Sequence, residues 1–187
     1  MEKRKLSTKK IVLTALMAAL TVVGSGLRVK LPVSVMGTTA FHLGNIFCAL
    51  SGILLGPGLG GLAAGLGSAI YDMFDPMYIA ECWLTFLMKG AYGLITGLIV
   101  WTGKNRDSYG KMTLATVAGA VTYAILYLAK NYFKGIFIKG LVPMASAIAL
   151  LDKIPATVFN AIVAIIFAPI LANAIRAGLK KNHLSLD

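Results

Sequence analysis

Apolar residues fill this chain in long blocks, and short polar stretches separate the blocks. The first block covers 11–27. A polar stretch with Arg28, Lys30 and Pro32 follows, runs to His42 and reads as a loop. From Leu43 to Tyr71 there is no charged residue at all, and Gly56-Pro57-Gly58 interrupts the run. Proline ends a helix and glycine turns the chain, so two short helices are expected, over 44–56 and 58–74. Asp72, Asp75, Pro76 and Glu81 mark the next polar stretch. A fourth block, 83–101, precedes a charged loop at 103–111. A fifth covers 112–138, a turn with Pro143 covers 139–145, and a sixth covers 146–175. The tail 176–187 is basic and polar. A membrane-crossing helix needs about 20 mostly apolar residues. The pattern therefore predicts an all-α integral membrane protein, a bundle of six transmembrane helices forming one domain over 1–187.

Composition agrees. Of 187 residues, 58% are hydrophobic and 13% charged, whereas soluble domains carry about 25% charged residues. A cytosolic enzyme, a secreted domain and a nucleic-acid reader are excluded. The net charge of +11 is then a matter of placement. Lys3, Arg4, Lys5, Lys9, Lys10, Lys104, Arg106, Lys111, Arg176, Lys180 and Lys181 all fall at the ends that six spans put on one side. By the positive-inside rule that side, with both termini, is cytoplasmic. The basic segment 1–10 enters the first block without a small-residue cleavage site, so the block reads as a span and not as a signal peptide. Cys48 and Cys82 are expected to be free thiols.

No paired acids, HExxH, GxSxG or CxxC motif appears, so no catalytic residue, metal site or cofactor is expected. Charges inside spans carry most of the functional signal, because a charge near the bilayer centre costs about 2.5–3.5 kcal/mol on insertion scales. Asp72, Lys89, Lys130, Lys134, Asp152 and Lys153 are the candidates. Most sit toward the outer half, which fits a cavity open to the outside. The competing readings are lysines snorkelling to headgroups and, for Asp152 and Lys153, a helix start. Tyr123, Tyr127 and Asn131 share one face of the fifth span and could stack a flat ring. Tyr78 and Trp83 also suit an interfacial belt, and Asn160 suits interhelical hydrogen bonding. The excess of lysine favours a ligand with a carboxylate, such as pantothenate, whereas the aromatic face favours a flat heterocycle. Gly52, Gly56, Gly58, Gly60, Gly61, Gly65 and Gly67 mark either close helix packing or a smooth outer surface. Ala15 and Ala19 form a small stripe on the first span. His42 reads as a loop residue, not a metal ligand. A small membrane enzyme and a homo-oligomeric channel are the alternatives from other functional classes.

Several segments in this order resemble the substrate-binding S-component of energy-coupling factor (ECF) vitamin transporters. They are the basic N-terminus with Ala15-x-x-x-Ala19, Phe41-His42-Leu43-Gly44-Asn45, the stretch 52–61, the stretch 65–72 ending in Asp72, Thr85-Phe86-Leu87-Met88-Lys89-Gly90, and Lys153-Ile154-Pro155 followed by Asn160. The similarity is to a branch serving riboflavin, hydroxymethylpyrimidine or vitamin B6-type substrates. The resemblance implies a six-helix subunit of a bacterial plasma membrane with no catalysis of its own. Its partners are a transmembrane coupling subunit and two cytoplasmic ATPases, and the whole subunit topples to deliver its vitamin. Asp72, Lys89, Tyr127, Asn131, Lys153 and Asn160 are the expected substrate-binding residues. Ala15 and Ala19 are the expected docking residues for the coupling subunit.

Overall fold

The first apolar block winds into α1 (Thr8–Gly26). Thr14, Met17, Ala18, Thr21 and Ser25 are buried on it, a helical spacing that turns one stripe inward. Ile11, Val12, Ala15, Leu16 and Ala19 stay exposed on the other side. The computed structural model describes residues 7–33 and 37–182, without the side chains of 31–33 and 37–38. Lys3, Arg4 and Lys5 and the end of the tail, 183–187, lie outside the described residues.

The stretch after α1, expected to be a loop, is a β-hairpin. β1 (Arg28–Val33) pairs antiparallel with β2 (Gly37–His42), Arg28 opposite His42 and Val33 opposite Gly37. The hairpin corrects the loop expected over 28–42, and the rest of the described chain is helical, in keeping with the all-α class. The connection lacks an Asn-Gly or Asp-Gly signal, and Pro32 argues against an interior strand. A two-stranded ribbon leaves each strand an open edge, where proline is tolerated.

α2 (Gly44–Met73) is a helix folded in two. Gly56 takes φ +81° and ψ −176°, a conformation that side-chain-bearing residues rarely adopt. The Ser51 hydroxyl donates to the Gly60 carbonyl at 2.9 Å, and Cys48 Sγ lies 3.6 Å from Ser68 Oγ. A straight helix would hold that second pair about 30 Å apart, so limbs 44–55 and 57–73 run side by side. A 3-10 turn at Ile79–Glu81 leads into α3 (Cys82–Trp101). α4 (Tyr109–Phe137), the short α5 (Pro143–Ala149), a 3-10 turn at Leu151–Lys153 and α6 (Ile154–Lys181) complete the chain. The last long helix thus starts later than 146, because the backbone breaks at 150–153. Five helical stretches among the described residues are long and apolar enough to cross a membrane. With α2 divided at Gly56, the described residues form six long helical limbs beside the short α5.

The fold-back leaves one peptide group in need of a partner. Pro57 has no N–H, so the Ile53 carbonyl four residues earlier has no helical donor. Trp101 Nε1 donates to it at 3.1 Å and the Arg176 guanidinium at 3.0 Å. Arg176 also reaches Asp107 Oδ1 at 2.8 Å, and Arg106 lies 4.4 Å from the centre of the Trp101 ring. The ends of α3 and α6 and the 102–108 loop are therefore tied to the turn of α2, at the end of the bundle away from the hairpin.

The glycines of α2 and α3 serve close packing, and the smooth-outer-surface reading is set aside. Gly52, Gly60, Gly61, Gly65 and Gly67 are buried, while Leu62, Leu66 and Ile70 take the exposed positions. A Cβ on Gly93 would lie 2.8 Å from the Gly60 carbonyl oxygen, and one on Gly97 would lie 2.6 Å from the Pro57 nitrogen. Small residues let the two backbones come this near. Gly97→Ala is expected to lower stability by about 1–3 kcal/mol through overpacking, read as a lower Tm in detergent. Gly58→Ala, where a Cβ meets nothing within 4 Å, is expected to leave Tm unchanged or raise it. Equal Tm shifts in the two variants would contradict the packing account.

Candidate functional site

The chain closes a cavity at the hairpin end, between α1, β1, β2, the second limb of α2, α3, α4 and α6. It holds about 670 Å³ of atom-free space, part of it in the open mouth.

One edge of the mouth is ionic. Arg28, at the start of β1, donates through Nε to the Ser25 carbonyl at 2.7 Å. Its guanidinium carbon lies 3.9 Å from the Tyr71 ring centre, and its nitrogens lie 3.9 Å from Asp72 and 3.8 Å from Asp75. Lys30 Nζ meets Asp75 Oδ2 at 2.7 Å. The opposite edge is held by neutral groups. Asn160 of α6 brackets β2, accepting from the His42 N–H and donating to the Ala40 carbonyl, both at 2.9 Å. Phe41 packs edge-on against Phe159 with centres 4.7 Å apart. The hairpin is thus strapped over the cavity by charges on one side and by an amide and an aromatic pair on the other.

The inner wall is aromatic and carries one buried cation. Tyr92, Tyr123 and Tyr127 form a near-parallel column, with centres 6.1 and 5.7 Å apart and planes 20° and 24° from parallel. Tyr123 and Tyr127 line the cavity, whereas Tyr92 stands behind them in the core. Lys89, 4% exposed, donates to Asn45 Oδ1 and places Nζ 3.9 Å from the Tyr123 ring centre. No carboxylate among the described residues lies within 4 Å of it. Lys130, by contrast, meets Glu81 Oε2 at 2.6 Å, and Lys134 takes the other oxygen of the same carboxylate.

Of the residues expected from the sequence to bind substrate, Asp72, Lys89, Tyr127 and Asn160 line this one cavity. Asn131 and Lys153 are buried next to it but outside its lining. Asn131 Nδ2 donates to the Tyr127 carbonyl at 2.8 Å, and the Lys153 carbonyl accepts from Thr157 Oγ1 at 2.8 Å at the start of α6. Ala15 and Ala19 lie on the exposed side of α1. In the sequence Arg28 and His42 read as loop residues, yet both line the cavity. The signal that could have found them is the near-alternation of Arg28-Val29-Lys30-Leu31, which reads as a strand when Pro32 is allowed an edge.

Electrostatics at the mouth follow from these contacts. Burial raises the Asp75 carboxyl pKa, but hydrogen bonds from Lys30 and the Met77 N–H, with the charges of Lys30 and Arg28, outweigh it and leave the group below its ordinary value. The same hydrogen bond to Asp75 raises Lys30. Burial, then the nearby charges of Lys89 and Arg28, push the His42 imidazole well below its ordinary value. A neutral ring fits its contact, since Nδ1 accepts the Gly44 N–H at 3.2 Å.

A family model described as "ECF-type riboflavin transporter, S component" matches residues 5–177. A Pyrococcus woesei protein, described as an uncharacterized protein in the gap 3' region, is 34% identical over 114 residues, which is 61% of this chain and 72% of that protein.

The His42 and Asp75 shifts give separate pH windows. Unfolded His titrates near 6.5, so a depressed folded value means stability present above about 6.5 and lost as the pH falls toward the folded pKa. Asp75 also contributes above its unfolded value, but that value is about 3.9. Between about pH 6.5 and 5 the Tm of the detergent-solubilised protein is therefore expected to fall through His42, and His42→Gln is expected to flatten that window. A slope equally steep in the variant would assign the loss to other groups.

Proposed function

The chain belongs to the S-component family of ECF-type riboflavin transporters, and on that footing we propose that the cavity under the β-hairpin captures riboflavin. Membership makes the chain a multi-pass membrane protein that binds substrate for an ECF-type transporter. It is not an enzyme. The coupling subunit, the ATPases and a small-molecule vitamin are what the family implies.

The observation that carries the substrate reading is the tyrosine column with the Lys89 ammonium set against its middle ring, Tyr123. A flat ring laid on Tyr127 extends the column by one layer, and offset stacking contributes about 0.5–1.5 kcal/mol beyond area burial. Carbonyls on the ring edge can then accept from Lys89 and the mouth can hold a hydroxylated tail. The ion pairs also weigh against an anionic ligand. Arg28 and Lys30 are engaged with Asp72 and Asp75, and Lys130 and Lys134 with Glu81. The lysine excess that favoured a carboxylate such as pantothenate is thus largely matched inside the protein. Hydroxymethylpyrimidine or vitamin B6 would fill less of the column. Asn131 and Lys153 support this site from behind, setting the Tyr127 backbone and the start of α6.

For delivery, the exposed stripe with Ala15 and Ala19 on α1 docks on the transmembrane coupling subunit, which is driven by two cytoplasmic ATPases. The six limbs cross the cell membrane with both termini in the cytoplasm. The described basic residues Lys9, Lys10, Lys104, Arg106, Lys111, Lys180 and Lys181 gather at the end away from the cavity, which supports that orientation.

Mass spectrometry of the compound released from gently purified protein is expected to return riboflavin. Titration is expected to quench flavin fluorescence, and Tyr127→Leu is expected to weaken binding about tenfold, the loss of one stacking contact. Recovery of a non-flavin vitamin would sink the substrate reading. Bulky substitution of both Ala15 and Ala19 is expected to abolish uptake with the coupling subunits and to leave riboflavin binding intact. Undiminished uptake would remove the docking role.

A further inference from the structure

We propose that Asn45 is a positioning residue for selectivity: it holds the Lys89 ammonium toward the cavity without neutralising it, so that the site accepts a ring edge bearing carbonyl acceptors and rejects cationic heterocycles. This rests on the substrate reading above and deepens it.

Asn45 lies at the start of the first α2 limb, is 2% exposed, and is not part of the cavity lining. Its Oδ1 accepts from Lys89 Nζ across to α3, while the Tyr123 face on α4 supports the same nitrogen from another side. An ammonium has three N–H donors. The amide takes one and the ring face stabilises the charge, which leaves donor capacity toward the cavity that Lys89 lines. A buried charge is costly unless it is partnered, and here no carboxylate among the described residues stands within 4 Å. A ligand carbonyl completes the set, and a ligand cation meets repulsion. A carboxylate in place of Asn45 would hold the lysine more strongly, drawing it from the ligand. The neutral amide orients the charge and leaves it available.

The test is a double-mutant cycle read by riboflavin fluorescence quenching on Asn45→Ala, Lys89→Met and the double variant, with Asn45→Asp as the variant that keeps an acceptor in place. Each single variant is expected to weaken riboflavin binding at least tenfold, and the double variant to bind no more weakly than Lys89→Met alone, because Asn45 acts only through the lysine. Asn45→Asp is expected to keep the wild-type Tm or exceed it while still losing at least tenfold in riboflavin affinity. A purely structural Asn45 predicts the opposite, since a restored bond would restore binding. Additive losses in the cycle, or wild-type affinity in Asn45→Asp, would overturn the role of Asn45 and leave riboflavin as the substrate. Failure of the wild-type protein to bind riboflavin would overturn the substrate reading and this inference with it.

Discussion

A buried peptide group needs a hydrogen-bond partner, and the Ile53 carbonyl is where this fold meets that constraint with side chains. A proline four residues on removes its donor, and the fold-back at Gly56 would expose it. The indole of Trp101 and the guanidinium of Arg176 close on it instead. Three distant parts of the chain are thereby pinned at one end of the bundle. The reversal of α2 also returns Asp72 to the level of Arg28 and sets Cys48 beside Ser68. Without that reversal the hairpin end would have no acidic partner for β1 and no cavity beneath it.

At the other end the same constraint is met with charges. Asp72, Asp75 and Glu81 each stand close to a basic side chain from a different element, so the mouth is crossed by ion pairs while the wall below it is aromatic. In partly buried pairs of this kind the cost of desolvation offsets much of the attraction, so their net contribution to stability is small. Their value here is geometric: they set where β1 lies over the site. Lys89 stands apart, buried on an amide and a ring face, and it is the natural point for an acceptor brought in by a ligand.

Much of this could be read along the sequence. Gly56-Pro57-Gly58 marked the turn of α2, and the block lengths gave every long helix but the last to within a few residues. The depth of Asp72, Lys89, Tyr127 and Asn160 along their blocks led to residues that the fold gathers around one cavity. What stayed hidden was long-range. The hairpin has no tight-turn dipeptide, and nothing near Arg28 in sequence says that it will lie over Tyr71. Nothing local pairs Asn45 with Lys89, because the contact exists only once α2 and α3 pack glycine to glycine. The helix-breaking 150–153 segment was visible only as Asp152, Lys153 and Pro155, which read equally well as an ordinary helix start.

The pinned end has a topological consequence. Below the tyrosine column the bundle is filled by Ile53, Leu54, Val100, Met112, Ala164 and Ala168, each 3% exposed or less, and it is closed by the Trp101–Ile53–Arg176 knot. Among the described residues the site is a cup that opens under the hairpin over a packed base. What enters past the hairpin must leave past the hairpin. In the proposed orientation, a ligand held in this cup reaches the opposite face of the membrane only if the rim itself is carried there.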